Sequence, residues 1–437
     1  EEAFCYVDPA NCSQMNFRSG LFPASGLYYS FQTCGSSGTF HEWFISNSAS
    51  GHDLEELADV VEGYVQALRS TLEGGYIELD GSTSHLECST TSSCHCADCK
   101  CVNNCTLTTG WKAEKVDFDS TVFVPHATTP PDPISKCLAN SAHVHFSNIA
   151  GVEYQDTDHV GTLYGGFQSD GSFMQWPGIE WCPTTYDPRF RPWYSASTTN
   201  PKIIILVIDC SGSMVLSSRM TLAKRAAKGV VKTLTWVDQI GFVLFNGNVK
   251  DSRAPVYLRT ESDIDAVNQY IDDNFVASGA TAFFKPLIEA IALINNAPAI
   301  CTRAILFLTD GIAPFTESNY ETIKASAATS DINIFTFAIG GGADVSVTQR
   351  LACENRAIAY TLSDGASLGE VMSSYYTYFA ASMTFPGSRW VLYNDFATGT
   401  ELLSACTPVY DRSDPSKKYS LFIGVVCMDM NILMSIS

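Results

Sequence analysis

Six consecutive apolar residues, Ile203 to Ile208, run directly into Asp209-Cys210-Ser211-Gly212-Ser213-Met214. A strand without polar alternation has to be covered on both faces, the condition of a parallel sheet between helices. The sequence that follows repeats this logic. Helix-period residues occupy 220–237, 263–275, 284–294, 347–353 and 368–383, and short apolar runs occupy 241–245, 304–308 and 332–339. Strand–helix alternation over about 180 residues predicts a doubly wound α/β domain. Gly340-Gly341-Gly342 follows a strand but lacks the G-x-G-x-x-G spacing and any Lys for phosphate, so it reads as a loop.

The flanks have a different character. Residues 1–50 are rich in Gly, Ser, Phe and Cys without lasting periodicity. Leu54, Leu57, Val60, Val61, Tyr64, Val65, Leu68 and Leu72 recur at helical spacing, and Gly74-Gly75 is expected to end that helix. Thr129-Pro130-Pro131-Asp132-Pro133 reads as a stiff connector. Short strand-like runs are expected over 142–176, which places His143 and His145 on one face of a strand, and again over 390–393, 402–410 and 419–430. The expected organisation is an N-terminal extension (1–50), a first part of an α+β domain with an antiparallel sheet (51–200), an inserted α/β domain (201–384) and the second part of the α+β domain (385–437). There is no internal repeat.

Composition limits the function. The formal charge is 26 − 46 = −20 over 437 residues, which repels phosphate backbones and argues against nucleic acid as a partner. No run approaches 18 apolar residues, so no transmembrane helix is expected. The chain opens Glu1-Glu2-Ala3-Phe4-Cys5, without a basic or apolar leader, so the signal peptide of a secreted protein is expected to be already removed. Of 16 cysteines, six crowd into 88–105: Cys88, Cys94, Cys96, Cys99, Cys101 and Cys105. A thiolate metal site around Cys94-His95-Cys96 and Cys99 is one reading. Structural zinc sites use well-separated C-x2-C pairs, so disulfides in an oxidising compartment are the favoured one. Glycosylation sequons at Asn11 and Asn104 agree with an extracellular or cell-surface location. Cys406 and Cys427, expected on adjacent antiparallel strands, are a candidate disulfide pair.

Asp209, Ser211 and Ser213 alternate on a tight turn at the carboxyl end of the first α/β strand, where ligands bind in such sheets. Thr281 lies on a loop before a helix, and Asp310 follows the 304–308 strand in Thr309-Asp310-Gly311. Three hydroxyls and two carboxylates, all oxygen, suit a hard dication such as Mg²⁺, Ca²⁺ or Mn²⁺. Two carboxylates only balance such an ion, leaving it able to accept a carboxylate from another protein. A second constellation is Tyr186-Asp187-Pro188-Arg189-Phe190-Arg191-Pro192-Trp193-Tyr194, which sets guanidinium forks among aromatic faces. No nucleophile–base pair supports an enzyme.

Asp-Cys-Ser-Gly-Ser-Met, Thr281 and Thr-Asp-Gly resemble the metal-ion-dependent adhesion site of von Willebrand factor A domains, and the resemblance covers about 202–384. It implies that Ser211, Ser213 and Thr281 touch the ion while Asp209 and Asp310 act directly or through water. The Tyr186–Tyr194 run resembles the signature of Cache domains, extracellular sensor modules. That resemblance implies that Tyr186, Arg191, Trp193 and Tyr194, with Tyr393 and Asp429, hold a small amino-acid ligand, Asp429 gripping its ammonium group. A Cache domain split by a von Willebrand factor A domain is similar to the alpha-2-delta subunits of voltage-gated calcium channels. The 88–105 cysteines and residues 1–50 have no counterpart in that architecture. The expected function is non-enzymatic extracellular binding, with the cation bridging to an acidic residue of a channel subunit or a surface-filament component. An amino-acid sensor and a structural matrix protein are the alternatives.

Overall fold

The computed structural model describes residues 5–7, 17–18, 28–30, 54–80, 116–117, 121–126, 129–150, 160–176, 178–179, 186–298, 302–364, 371–372, 375–382, 387–395, 401–413 and 421–430. Asn11, Asn104 and the six cysteines of 88–105 lie outside the described residues. The chain divides into two compact units, one made of Glu1–Arg189 and Met383–Ser437, the other of Phe190–Ser382. Among the described residues no helix is long and apolar enough to cross a membrane.

In the first unit, six strands form an antiparallel sheet in the order Arg389–Asn394, Glu401–Tyr410, Phe422–Met430, Val160–Phe167, Phe173–Trp176, Val122–Val124. The helix Leu54–Asp80 lies against the two strands Glu401–Tyr410 and Phe422–Met430 and against a second helix, Pro133–Ala150. Val61, Val65, Leu68 and Leu72 on one face of the long helix enter a core with Leu138, Leu163, Trp176, Val426 and Met428. Cys406 and Cys427 sit opposite each other on neighbouring strands and are disulfide-bonded, as their positions in the sequence suggest.

Two expectations fail in this unit. Gly74-Gly75 does not end the long helix, which continues to Asp80. A Cβ on Gly75 would sit 3.3 Å from Leu138, so the glycine lets the two helices approach closely. That packing offsets the cost of glycine in a helix, about 1 kcal/mol. Residues 133–150 are helical, so His143 and His145 lie on a helix and not on a strand. Asp132 accepts the backbone N–H of Ile134 at 3.0 Å, and Pro133 takes the first helical position, where its missing N–H costs nothing. The same Asp-Pro pair that suggested a connector is the start of a helix. The His143 ring bonds the Thr121 hydroxyl at 3.0 Å.

The second unit is the doubly wound sheet. Its order is Val249–Tyr257, Gln239–Phe245, Lys202–Asp209, Thr302–Thr309, Ile332–Ile339, Ala359–Leu362, and only the edge strand Val249–Tyr257 runs antiparallel. Lys202–Asp209 is buried along its whole length. Beneath the sheet Phe245, Phe283 and Phe307 pack ring on ring, with Phe245 and Phe307 stacked at 5.5 Å. The helix after the first strand covers Arg219–Lys232 and stops short of residue 237. There Asp238 turns the chain into the next strand, accepting from the Thr235 amide at 2.8 Å and hydroxyl at 2.9 Å. Among the described residues, the elements that escape the periodicity reading include the short helix Pro192–Thr198, the polar edge strand Val249–Tyr257, the short strand Ala359–Leu362 and the helix Glu317–Thr329. The last carries local signals of a helix start, a reciprocal cap between Thr316 and Asn319 and an acidic Glu317 in the first turn.

Candidate metal centre

The strands Lys202–Asp209 and Thr302–Thr309 are hydrogen-bonded neighbours running in the same direction, so Asp209 and Asp310 reach the same edge of the sheet. Asp209 is fully buried. One of its oxygens accepts the Ser211 amide at 2.7 Å, and the other accepts the Thr309 hydroxyl at 2.6 Å. It thereby ties the turn to the adjacent strand. Burial pushes the Asp209 carboxyl above its usual range, against the lowering effect of these hydrogen bonds. The Ser211 and Ser213 hydroxyls are 3.0 Å apart, and Ser213 donates to Asp310 Oδ1 at 2.7 Å. The Gly212 amide donates to Gly279 O at 2.9 Å, which holds the 278–281 loop against the serine turn. A Cβ on Gly311 would meet Thr281 Oγ1 at 2.9 Å, so the missing side chain lets Thr281 come in beside Asp310.

All five expected residues therefore belong to one cluster at the carboxyl edge of the sheet. Ser213 and Thr281 are half-buried, and Ser211, Asp209 and Asp310 are buried. The donor set is oxygen only. Among the described residues no group of three His, Cys, Asp or Glu could hold a metal by itself, so a cation here depends on the hydroxyls. That chemistry fits a hard dication and not a thiolate- or imidazole-bound one.

Sequence reasoning missed a member of this cluster. Arg219 donates through Nη1 to Asp310 Oδ2 at 2.8 Å. Its Nε and Nη2 form a fork on Asp364 at 2.7 and 2.8 Å. These bonds raise the Arg219 pKa, and the guanidinium holds the Asp364 carboxyl below its usual range. The arginine crosses over Gly340, where φ is +75° and a Cβ would stand 2.3 Å from Nη2. Both the left-handed backbone and the passing side chain require glycine. The first of the three loop glycines is thus explained by the passing Arg219 side chain and not by phosphate binding.

The second constellation is distributed over both units. In the first, the Tyr186 ring packs edge-on against Phe173 at 5.0 Å, Phe173 lies 6.1 Å from Tyr164, and the Tyr164 hydroxyl bonds that of Tyr393 at 2.8 Å. Asp429 is buried and accepts the Thr162 hydroxyl at 2.7 Å, the Ser404 hydroxyl, and the Tyr393 hydroxyl at 3.4 Å. The chain's own hydroxyls thus satisfy the carboxylate expected to grip an ammonium group. Arg189 pairs with its neighbour Asp187 at 2.7 Å, a local structural role. In the second unit Arg191 is the residue before the helix Pro192–Thr198, on which Trp193 and Tyr194 are buried with ring centroids 5.5 Å apart.

Burial pushes the Asp429 carboxyl up to about 6 from an ordinary 3.8, with a further upward contribution from Asp395. The hydroxyls of Ser404, Thr162 and Tyr164 pull it down. A raised carboxyl stabilises the fold fully below the unfolded-state pKa, and that stability is lost as pH rises through the folded value. Between about pH 4 and pH 6 the native chain should lose roughly 3 kcal/mol from this group. An Asp429→Asn chain should lack this component. Denaturant unfolding of both chains from pH 4 to pH 7 checks it, and a stability difference that stays constant across the window would contradict it.

The family model for the von Willebrand factor type A domain matches residues 204–374. The chain is 24% identical over 310 residues to the voltage-dependent calcium channel subunit alpha-2/delta-4 of Homo sapiens, a match covering 65% of this chain and 27% of that protein. It is 25% identical over 289 residues to alpha-2/delta-3 of Rattus norvegicus, covering 60% of this chain and 26% of that one. The chain thus spans about a quarter of the length of the curated relatives it matches. Among solved structures, a von Willebrand factor type A protein from Catenulispora acidiphila aligns at 17% identity over 53% of this chain and 58% of its own, with a TM-score of 0.38. The family match spans the sheet and both strand-end turns of the cluster, and this part of the chain is a von Willebrand factor type A domain.

Proposed function

We propose that the chain is a non-enzymatic extracellular binding protein that uses a divalent cation, Mg²⁺ or Ca²⁺, to engage an acidic residue of a partner protein. Ser211, Ser213 and Thr281 would hold the ion, with Asp209 and Asp310 directly behind them. The observation that carries this reading is the convergence of the two serine hydroxyls and Asp310 at 3.0 and 2.7 Å on adjacent strand ends. When bound, the cation supplies an electrophilic position for a carboxylate oxygen. The chain's own residues do the rest: Asp209 fixes the serine turn through the Ser211 amide, and Arg219 fixes Asp310. The similarity to calcium-channel alpha-2/delta subunits supports a channel subunit as the partner class. The Cys406–Cys427 disulfide supports an oxidising, extracellular location.

Calorimetric titration of Mg²⁺ and of Ca²⁺ into the chelator-treated, desalted chain tests the cation. One saturable site is expected, weakened by roughly tenfold or more in Ser213→Ala, which corresponds to about 1.4 kcal/mol. The absence of a saturable site for both ions would overturn the reading.

A further inference from the structure

The rim of the oxygen cluster carries exposed apolar side chains. Val215 and Leu216, which follow Ser213 on the serine turn, are 68% and 59% exposed, and Ile312, two residues after Asp310, is 69% exposed. Such side chains exposed singly would need no account. These three lie within three residues of Ser213 or Asp310, whose side chains are hydrogen-bonded to each other at 2.7 Å.

The turn that displays two of them is pinned. Met214 beside them is buried, and the Arg219 amide donates back to Met214 O and Leu216 O. Ser217 and Ser218 both adopt left-handed backbone, with φ of 49° and 58°. Two successive non-glycine residues in that region cost about 1–2 kcal/mol each. The cost is offset by anchoring: Arg219, the next residue, holds Asp364 by its fork and Asp310 through Nη1. Strain held in this way concentrates at functional sites. Here it presents Val215 and Leu216 to solvent on a fixed loop, so burying them against a partner requires little ordering.

Charge narrows the partner further. Asp209 and Asp310 balance a dication, and Arg219 already draws on Asp310, so one carboxylate completes the site. A long acidic tract is disfavoured, because the chain itself carries −20. We infer that the metal face, with its collar of Val215, Leu216 and Ile312, docks a protein segment that presents a single carboxylate flanked by aliphatic side chains. This inference rests on the cation reading above and adds the identity of the flanking groups.

A display library of disulfide-closed peptides tests it, with one fixed Asp and three randomised positions on each side. The library is bound to the intact chain in Mg²⁺ and eluted with EDTA. The expected result is enrichment of Leu, Ile and Val beside the fixed Asp. A Val215→Ser/Leu216→Ser/Ile312→Ser chain should bind the selected peptides roughly tenfold more weakly, the loss expected for one large aliphatic burial. Its Mg²⁺ affinity by calorimetry should be unchanged, because the three side chains are exposed and touch no member of the oxygen cluster through hydrogen bonds. EDTA-eluted peptides without aliphatic enrichment, or with undiminished binding to the triple variant, would overturn the collar and leave the cation reading standing. Recovery of no EDTA-eluted peptide from a chain that binds Mg²⁺ would overturn the collar together with the carboxylate partner.

Discussion

Replacing Asp238 by Ala is expected to lower the unfolding free energy of the α/β unit by about 3–5 kcal/mol. Lys202 opens the central strand, and its side chain is 1% exposed, as is that of Asp238. Asp238 Oδ2 accepts Lys202 Nζ at 2.9 Å, and Oδ1 accepts the Lys202 amide at 3.0 Å. The Thr235 amide and hydroxyl complete its set of donors. Without the carboxylate, the hydrogen-bond partner left to the buried ammonium among the described residues is Thr199 Oγ1 at 3.1 Å. A hydroxyl cannot compensate a full charge removed from water. The expected loss therefore comes from the stranded cation and not from the attraction of the pair. Denaturant unfolding checks the single variant. A double Lys202→Met/Asp238→Leu chain should recover most of the loss, since apolar groups of similar size often replace buried pairs without penalty. A double variant as unstable as the single one would show that the four hydrogen bonds to Asp238, and not the unpaired charge, carry the effect.

The Arg219→Met chain should show a destabilisation of about 3 kcal/mol in EDTA that shrinks when Mg²⁺ is added. The side chain of Asp310 is fully buried, and Arg219 is the cation paired with it. Methionine preserves much of the arginine stem but leaves that carboxylate with only the Ser213 hydroxyl as an identified donor. A dication at the serine turn supplies positive charge from the other side, so the variant gains more from Mg²⁺ than the native chain does. Thermal unfolding of both chains with and without Mg²⁺ reads this directly. An equal shift in the two chains would show that Arg219 and the ion act independently. Because Arg219 also grips Asp364, an Asp364→Asn chain separates the two ends of the bridge: it should keep the Asp310 contact and lose little stability, as Asp364 is partly open to water.

The strongest signals in the sequence are those with one physical solution. The Ile203–Ile208 run has no polar position to turn toward water, and it lies in the buried third strand of the sheet as expected, paired on both sides by parallel strands. Asp209, Ser211 and Ser213 are two residues apart on a single turn, and Asp310 stands at the end of an adjacent strand, so their convergence follows once the sheet is parallel. The facing of Cys406 and Cys427 likewise follows from two alternating strands joined in sequence.

Other features depend on contacts between residues far apart in the chain, and no local pattern encodes them. Gly74-Gly75 reads as a helix end because glycine alone weakens a helix; only the approach of Leu138 turns it into a helix-packing site. His143 and His145 fit two periodicities in a short window, and the Asp132 cap decides for the helix. Four of the sheet's six strands lie between Arg219 and Gly340 in sequence, yet one passes over the other to bridge Asp310 and Asp364. By itself the sequence determined the α/β core and which oxygen-bearing side chains share one strand edge, because apolar runs and a tight turn leave a chain few alternatives. Only the tertiary structure decided what surrounds those donors, because a charge partner or an exposed collar is defined by where distant loops meet.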